Sequence, residues 1–364
     1  MRRQRWCQRL AWLSMVWLCI GLPATADDAD RHWSSRLESR LAGIDAGFSG
    51  EIGVYVKALS TGETLSWRAD DDWYLASLIK VPVALTVWQR IDEGRMSLDD
   101  TLTLAQSDYV DGAGPTNWES PGTAMRIGEL LDAMLTVSDN TATDMLIREV
   151  GRDTVNRHVG ELIDDGLGEI TSLVDVRRHI YAELHPRAFG LGGMDFIELQ
   201  KADDDRHRLD WLEQRIGVDR DAWAMTSLDL AYDAYYSRPL NSGRLDAFGQ
   251  LLETLASRQA LSSRSTRQLL ATMTRTSSGD DRLKAGLGSE VVLAHKTGTQ
   301  RRRTCHAGIA MQAGQSSDEG VVIVACTRGE SSLERSEAAL RAVGLAIEAS
   351  GVLLSPDGPS SRRE

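Results

Sequence analysis

Strand-like patterning is confined to the two ends of this sequence. Near the start, Glu51 to Leu59 and Thr64 to Arg68 are rich in β-formers and are separated by Ser60-Thr61-Gly62-Glu63, which reads as a β-hairpin. The next such runs are Val291 to Lys296, His306 to Gln312 and Gly320 to Cys326. Between them the helical period dominates, in Leu78 to Glu93, Ile127 to Thr136, Thr141 to Val150, Ser227 to Tyr236, Gly243 to Ala256 and Arg264 to Thr274. A doubly wound parallel sheet needs strand and helix to alternate, and hairpin spacing implies antiparallel pairing. The expected fold is therefore α+β, an α/β/α sandwich whose single antiparallel sheet is built from both chain ends (31–75 and 285–350). Amphipathic helices at Arg31 to Ile44 and Ser332 to Ser350 cover one face, and an all-helical subdomain (76–284) is inserted.

Residues 164–222 are less regular and highly charged, with the run ADDDRHR at 202–208, and read as a long surface loop or subdomain. Residues 353–364 are rich in Ser, Pro and Arg and read as a disordered tail, so the main domain spans 27–352. The first 26 residues carry Arg2, Arg3, Arg5 and Arg9, then the apolar run Leu10 to Leu22, then Ala24-Thr25-Ala26. A basic head, a short apolar stretch and a small-x-small site describe a cleavable export signal, and 13 apolar residues fall short of a membrane span. The expected location is periplasmic or secreted, with no stable membrane anchor after cleavage. Without those residues, 37 basic residues face 53 acidic ones, and no basic stripe with interleaved aromatics remains, which excludes nucleic acid as a partner class. The seven histidines are scattered and no HxH, HExxH or CxxC occurs, so neither a metal nor another cofactor is expected. A monomer acting on a small molecule is the simplest assembly these features suggest.

Three short motifs follow one another: Ser77-Leu78-Ile79-Lys80, Ser138-Asp139-Asn140 and Lys296-Thr297-Gly298. The first puts a hydroxyl and an ammonium on one side of the start of an apolar helix. A serine hydroxyl is a weak nucleophile near neutrality, so Ser77 needs a base. Lys80 serves only if burial and nearby cations leave it partly neutral. Backbone N–H groups and the positive helix end at Ser77 can stabilise an oxyanion. Ser138 offers a second hydroxyl to pass a proton to a leaving nitrogen, and Asn140 an amide to orient an acylamino group. Lys296, Thr297 and Thr299 suit a substrate carboxylate, and Gly298 lets a substrate lie against the strand. Each motif has a plainer reading: Lys80 as a surface lysine, Ser138-Asp139-Asn140 as a helix N-cap, Lys296-Thr297-Gly298 as a strand exit. The plain readings sit poorly with composition, because beyond residue 26 there are only five lysines and four asparagines, and three of these nine lie in the motifs.

Together the motifs resemble those of the class A serine β-lactamases, within the penicillin-recognising superfamily that includes the DD-peptidases. The segments WYLASLIKVPVALTVWQRIDEGRMSLDD (73–100), TAMRIGELLDAMLTVSDNTATDMLIREVG (123–151) and AHKTGT (294–299) share that family's texture, in two blocks at 50–160 and 225–350. The resemblance implies a fold with a sheet from both chain ends plus a helical domain. It implies Ser77 as acylated nucleophile, Lys80 as its proton acceptor, Ser138 as relay, Asn140 as amide ligand, and Lys296 with Thr297 as carboxylate site. The backbone N–H groups of Ser77 and Thr299 would form the oxyanion hole.

The family's deacylating glutamate, in an ExxLN motif on an omega-shaped loop, has no counterpart here. The nearest likeness, Val174 to Pro186, puts Tyr181 at its place. Glu183 or Asp175 stands as a surrogate base, against the plain reading of Glu183 as a loop-bracing acid. The expected function is an exported serine acyl-hydrolase that opens β-lactam rings. The alternatives are a DD-peptidase or penicillin-binding protein acting on D-Ala-D-Ala termini, and a sensor domain that stays acylated. If His306–Gln312 and Gly320–Cys326 form a hairpin, facing residues sum to 631 or 632, which sets Cys305 opposite Cys326 as either a disulfide or two packed thiols. Arg301 to Arg303 read as turn arginines, or as one arm toward an anionic substrate.

Overall fold

The computed structural model of the chain describes residues 32–354. The expected export signal and most of the expected tail lie outside the described residues. In chain order the strands are β1 (Glu51–Ala58), β2 (Thr64–Trp67), β3 (Asp72–Tyr74), β4 (Thr101–Thr103), β5 (Ala124–Arg126), β6 (Ser242–Arg244), β7 (Val291–Gln300), β8 (Arg303–Gln312) and β9 (Val321–Arg328). The helices are α1 (Trp33–Gly47), α2 (Lys80–Asp92), α3 (Ile127–Thr136), α4 (Asn140–Val150), α5 (Arg152–Leu162), α6 (Leu173–Leu184), α7 (Gly193–Gln200), α8 (Asp205–Ile216), α9 (Leu228–Tyr236), α10 (Leu245–Ala256), α11 (Ser263–Met273), α12 (Leu283–Gly286) and α13 (Leu333–Ser350).

Five strands form one antiparallel sheet in the order β2-β1-β9-β8-β7, so N-terminal β1 pairs directly with C-terminal β9. The fold is the α+β arrangement expected, with a mixed helical part and an antiparallel sheet. Side chains alternate across a strand. Val322 and Val324 of β9 and Ala307 and Ile309 of β8 enter the larger core, whereas Val321, Ile323 and Ala325 enter a smaller one beneath α1 and α13. Burial on both faces explains why β9 reads as one unbroken apolar run. At Gly53 a Cβ would come within 2.4 Å of the Trp73 ring, so the missing side chain lets β3 lie flat on the sheet.

The helical part differs from expectation in two ways. It holds two short strand pairs, β3 with β6 and β4 with β5, each three residues long. Three residues show too little alternation to register as strands in a sequence. Of the two expected readings of 164–222, loop or subdomain, the loop does not hold: α6, α7 and α8 occupy it, and the N-cap side chains of Ser172 and Asp204 start α6 and α8. Order also reaches Leu353, which is buried in the smaller core and whose carbonyl accepts from Gln312. Among the described residues no helix is long and apolar enough to cross a membrane.

Candidate active site

The chain turns sharply out of β3 into a single 3-10 turn, Ala76–Ile79, that runs straight into α2. Ala76 has φ +49°, a left-handed conformation costly for a side-chain-bearing residue, and the turn is held by Leu75 N–H donating to Asn241 O at 2.9 Å. Ser138 is likewise left-handed, at φ +61°, immediately before α4. Asp139 caps α4: one carboxylate oxygen accepts from Ala142 N–H and the other from Thr116 N–H, both at 2.8 Å. The N-cap reading of this motif is therefore correct for Asp139, which frees Ser138 and Asn140 to face α2.

Lys80 is fully buried, and its Nζ donates to Ser138 O at 2.6 Å, Ser138 Oγ at 3.0 Å and Asn140 Oδ1 at 2.7 Å. Burial lowers it from the usual lysine value to about 7; Asp139 and Asp144 resist the drop and Arg177 reinforces it. Lys296, also fully buried, reaches the same Ser138 Oγ at 3.0 Å from the other side and its own strand at Thr297 O. Burial, then Lys80 and Arg282, holds Lys296 well below its usual value. A hydroxyl has two lone pairs and one proton. When both lysines are ammonium ions they engage both lone pairs of Ser138 Oγ, which leaves its proton free for another acceptor.

Ser77 Oγ has no hydrogen-bond partner among the described residues and is not sealed from solvent. The strand β7 runs hard against its turn: a Cβ on Gly298 would lie 2.7 Å from Leu75 O and 3.2 Å from Ser77 N. Thr297 Oγ1 and Ser278 Oγ are 2.6 Å apart, and Thr299 Oγ1 accepts from Arg282 at 2.7 Å. Asn140 is held at both ends of its amide, by Lys80 and by its own donation to Asp111 O at 2.7 Å.

Three features of the cleft have no motif to announce them. Arg282, nearly fully buried, spans from Glu337 to Gly298 O, Cys305 O and Thr299 Oγ1. Asp111 accepts from Arg177 Nε at 2.7 Å beside Asn140. Asp144, buried in α4, accepts from Leu173 N–H at 2.6 Å and Val174 N–H at 2.9 Å, pinning the start of α6 beneath the site. A buried arginine or aspartate looks like a surface one in a sequence, so only its partners could have revealed it.

The structure does not bring Glu183 to this cluster. Its carboxylate is ion-paired with Arg238, the loop-bracing arrangement. Asp175 pairs with Arg178, and Tyr181 is buried against Phe196. On α6, Arg177 shares a face with Tyr181 four residues on, whereas Asp175 and Glu183 point elsewhere. The α6 charge that Lys80 feels is that of a guanidinium, Arg177. Arg301 is bound to Asp205 and Asp229, and Arg303 stacks on Tyr236 at 4.3 Å, so these turn arginines tie down the cleft wall. Cys305 and Cys326 are directly opposed in the β8–β9 register and are joined as a disulfide.

A family model described as a beta-lactamase enzyme family matches residues 36–178 and 208–350. The chain is 33% identical to beta-lactamase ROB-1 of Haemophilus influenzae over 129 residues, 35% of this chain and 41% of that protein. It is 31% identical to a beta-lactamase of Streptomyces albus G over 136 residues, 36% and 43% of the two chains. These alignments span less than half of the relatives' length. Among solved structures, a beta lactamase from Xanthomonas campestris pv. campestris superposes with TM-score 0.66 at 21% identity, covering 89% of this chain and 99% of the other. A variant of PBP-A, solved as an acyl-enzyme complex with penicillin G, gives TM-score 0.65 at 20% identity, covering 88% and 97%. At that identity the structural likeness is one of fold.

Proposed function

The chain belongs to the beta-lactamase enzyme family, and we propose that it is an exported serine acyl-hydrolase that opens β-lactam rings through an acyl-enzyme on Ser77. The observation that carries this reading is the hydroxyl of Ser138 held between two buried lysines, with Ser77 on the turn that leads directly into Lys80. Neutral Lys80 takes the Ser77 proton while Oγ attacks the lactam carbonyl carbon. The backbone N–H groups of Ser77 and Thr299 receive the oxyanion. As the C–N bond breaks, Ser138 gives its proton to the departing nitrogen and recovers one from the Lys80 ammonium. Lys296 and Thr297, backed by Arg282, hold the substrate carboxylate, and Asn140 its acylamino group. In deacylation, water attacks the ester, and Lys80, neutral again, is the base we assign to that step.

A second reading is favoured by one observation: the α6 charge felt at Lys80, where a water-activating carboxylate is wanted, is that of Arg177, and Glu183 is tied to Arg238. A DD-peptidase or penicillin-binding protein needs the acylation machinery and hydrolyses penicillin slowly. Mixing the mature protein with a chromogenic cephalosporin separates the two. Sustained turnover that disappears in Ser77→Ala supports the hydrolase. A single burst with a stable adduct on Ser77, read by intact mass, overturns it in favour of the penicillin-binding reading. In either case Glu183→Gln leaves the hydrolysis of the adduct unchanged; a loss of tenfold or more would restore Glu183 as the base.

A further inference from the structure

Of the cations around the cleft, Arg177 has no part in the chemistry above. Its surroundings are unlike those of a structural arginine. Nε donates to Asp111 Oδ1 at 2.7 Å, while Nη1 and Nη2 have no hydrogen-bond partner among the described residues and are not sealed from solvent. A Cβ built on Gly112 would lie 2.4 Å from Asn140 Nδ2 and 3.8 Å from Arg177 Nη2, so the free end of the guanidinium sits next to the amide that holds the acylamino group. Asp111 fixes this geometry twice, its carboxylate orienting Arg177 and its carbonyl orienting Asn140. Tyr74, Tyr181, Tyr232 and Tyr235 all lie within electrostatic reach of Arg177.

We infer that Arg177 is the anchor of an acyl-side subsite that takes a carboxylate on the substrate's side chain, one arm beyond the acylamino group held by Asn140. This rests on the acyl-transfer reading of the site. A guanidinium whose Nε is already committed presents its two Nη groups end-on, and two parallel N–H donors match the two oxygens of a planar carboxylate. Burial works against the charge of Arg177, but the Asp111 carboxylate beside it keeps the guanidinium charged, where Lys80 and Lys296 are pushed toward neutrality. In a chain of net charge −12, a carboxylated side chain enters against the overall field and needs one permanent local cation to hold it. Asp111 acts as a positioning residue: it sets the plane of the guanidinium without touching the substrate.

The test compares two acyl donors that differ in one group, benzylpenicillin and its α-carboxylated counterpart. The rate constant for acylation of Ser77 is read by intact mass in wild type, Arg177→Gln and Arg177→Lys. We expect wild type to favour the carboxylated donor at least tenfold, Arg177→Gln to lower that ratio at least tenfold, and Arg177→Lys to restore part of it. An equal loss for both donors would mean a purely structural role and overturns the subsite, as does an unchanged ratio. A second arm uses Ser77→Ala protein and calorimetric binding of phenylmalonate against phenylacetate, with and without Arg177→Gln. If neither penicillin acylates wild type, the proposed function falls while this arm still decides the subsite: tighter binding of phenylmalonate that depends on Arg177 upholds it, and equal binding removes it.

Discussion

The proposed chemistry turns on one proton equilibrium, and Asn140→Asp is the change that tests it. In the wild type Lys80 lies near 7, so about half the molecules hold it neutral at pH 7, whereas a lysine at 10.5 would leave roughly one in three thousand neutral. Acylation should therefore rise with pH through an acid limb near 7 and fall about tenfold for each pH unit below it. Asn140 Oδ1 is 2.7 Å from Lys80 Nζ. A full negative charge at that distance attracts the ammonium by about 6 kcal/mol at an effective dielectric of about 20. Taking only half of this, to allow for desolvating the new carboxylate, moves Lys80 up by about two pH units, because each unit is about 1.4 kcal/mol. The neutral fraction at pH 7 then drops to about one in a hundred, and acylation falls about fiftyfold. The assay is single-turnover acylation by a chromogenic cephalosporin from pH 5 to 10, with thermal melting to show that both proteins are folded. Loss of the Asn140 amide as a substrate ligand lowers the whole curve without moving it, so the position of the limb is the readout. Coincident limbs in the two proteins, or a wild-type limb above 9, would refute Lys80 as the base.

The remaining expectations concern the scaffold. Asp144→Ala leaves the buried N–H groups of Leu173 and Val174 without an acceptor, and should cost about 2–4 kcal/mol in chemical unfolding while exposing α6 to protease first. Gly298→Ala drives a Cβ to 2.7 Å from the Leu75 carbonyl, so β7 or the Ser77 turn must shift. Acylation should fall at least a hundredfold with only a modest loss in melting temperature, since misplacement of about 1 Å suffices. His295 is buried against His306 at 2.8 Å, and burial, then Lys284 and Lys296, lowers it to about 4. Between pH 6.5 and 4 the unfolded chain binds a proton there that the folded chain refuses, so stability should fall by about 3 kcal/mol as pH drops across that window. His295→Gln should flatten that slope, and an equally steep slope in the variant would assign the acid sensitivity elsewhere.

Legibility in the sequence follows the range of the interaction that makes each feature. The long strands β1, β7, β8 and β9 carry enough residues for their pattern to register, and the hairpin sum that faced Cys305 with Cys326 follows from antiparallel geometry alone. The three motifs are local in sequence, so Ser77, Lys80, Ser138, Asn140 and Lys296 could be named without knowing how they meet. The partners of those residues are not local: Arg282, Glu337, Asp111, Arg177 and Asp144 become visible only through bonds that span tens of residues. The stretch 179–207 lies between the two blocks that match the family model, so only a short local likeness and residue type point to a surrogate base there. Glu183 has the chemistry of a base, but helical phase, which residue type does not reveal, turns its face of α6 to Arg238.

Four cations, Lys80, Lys296, Arg177 and Arg282, converge on one cleft of an acidic chain, and only two have a carboxylate in direct contact, Arg177 with Asp111 and Arg282 with Glu337. A core arranged for stability alone would not keep two unpaired lysines at zero exposure, because burying an ammonium without a counter-ion is among the costlier things a fold can do. The acids close enough to neutralise them are committed elsewhere, Asp139 to capping α4 and Asp144 to pinning α6. The arrangement thus withholds neutralisation from Lys80 and Lys296 while satisfying their N–H groups with oxygen atoms that carry no full charge. That combination keeps an amine buried, oriented and partly unprotonated at once, which a base beside a serine requires. It also leaves the cleft short of negative charge, and in the proposed reaction the substrate's own carboxylate supplies it.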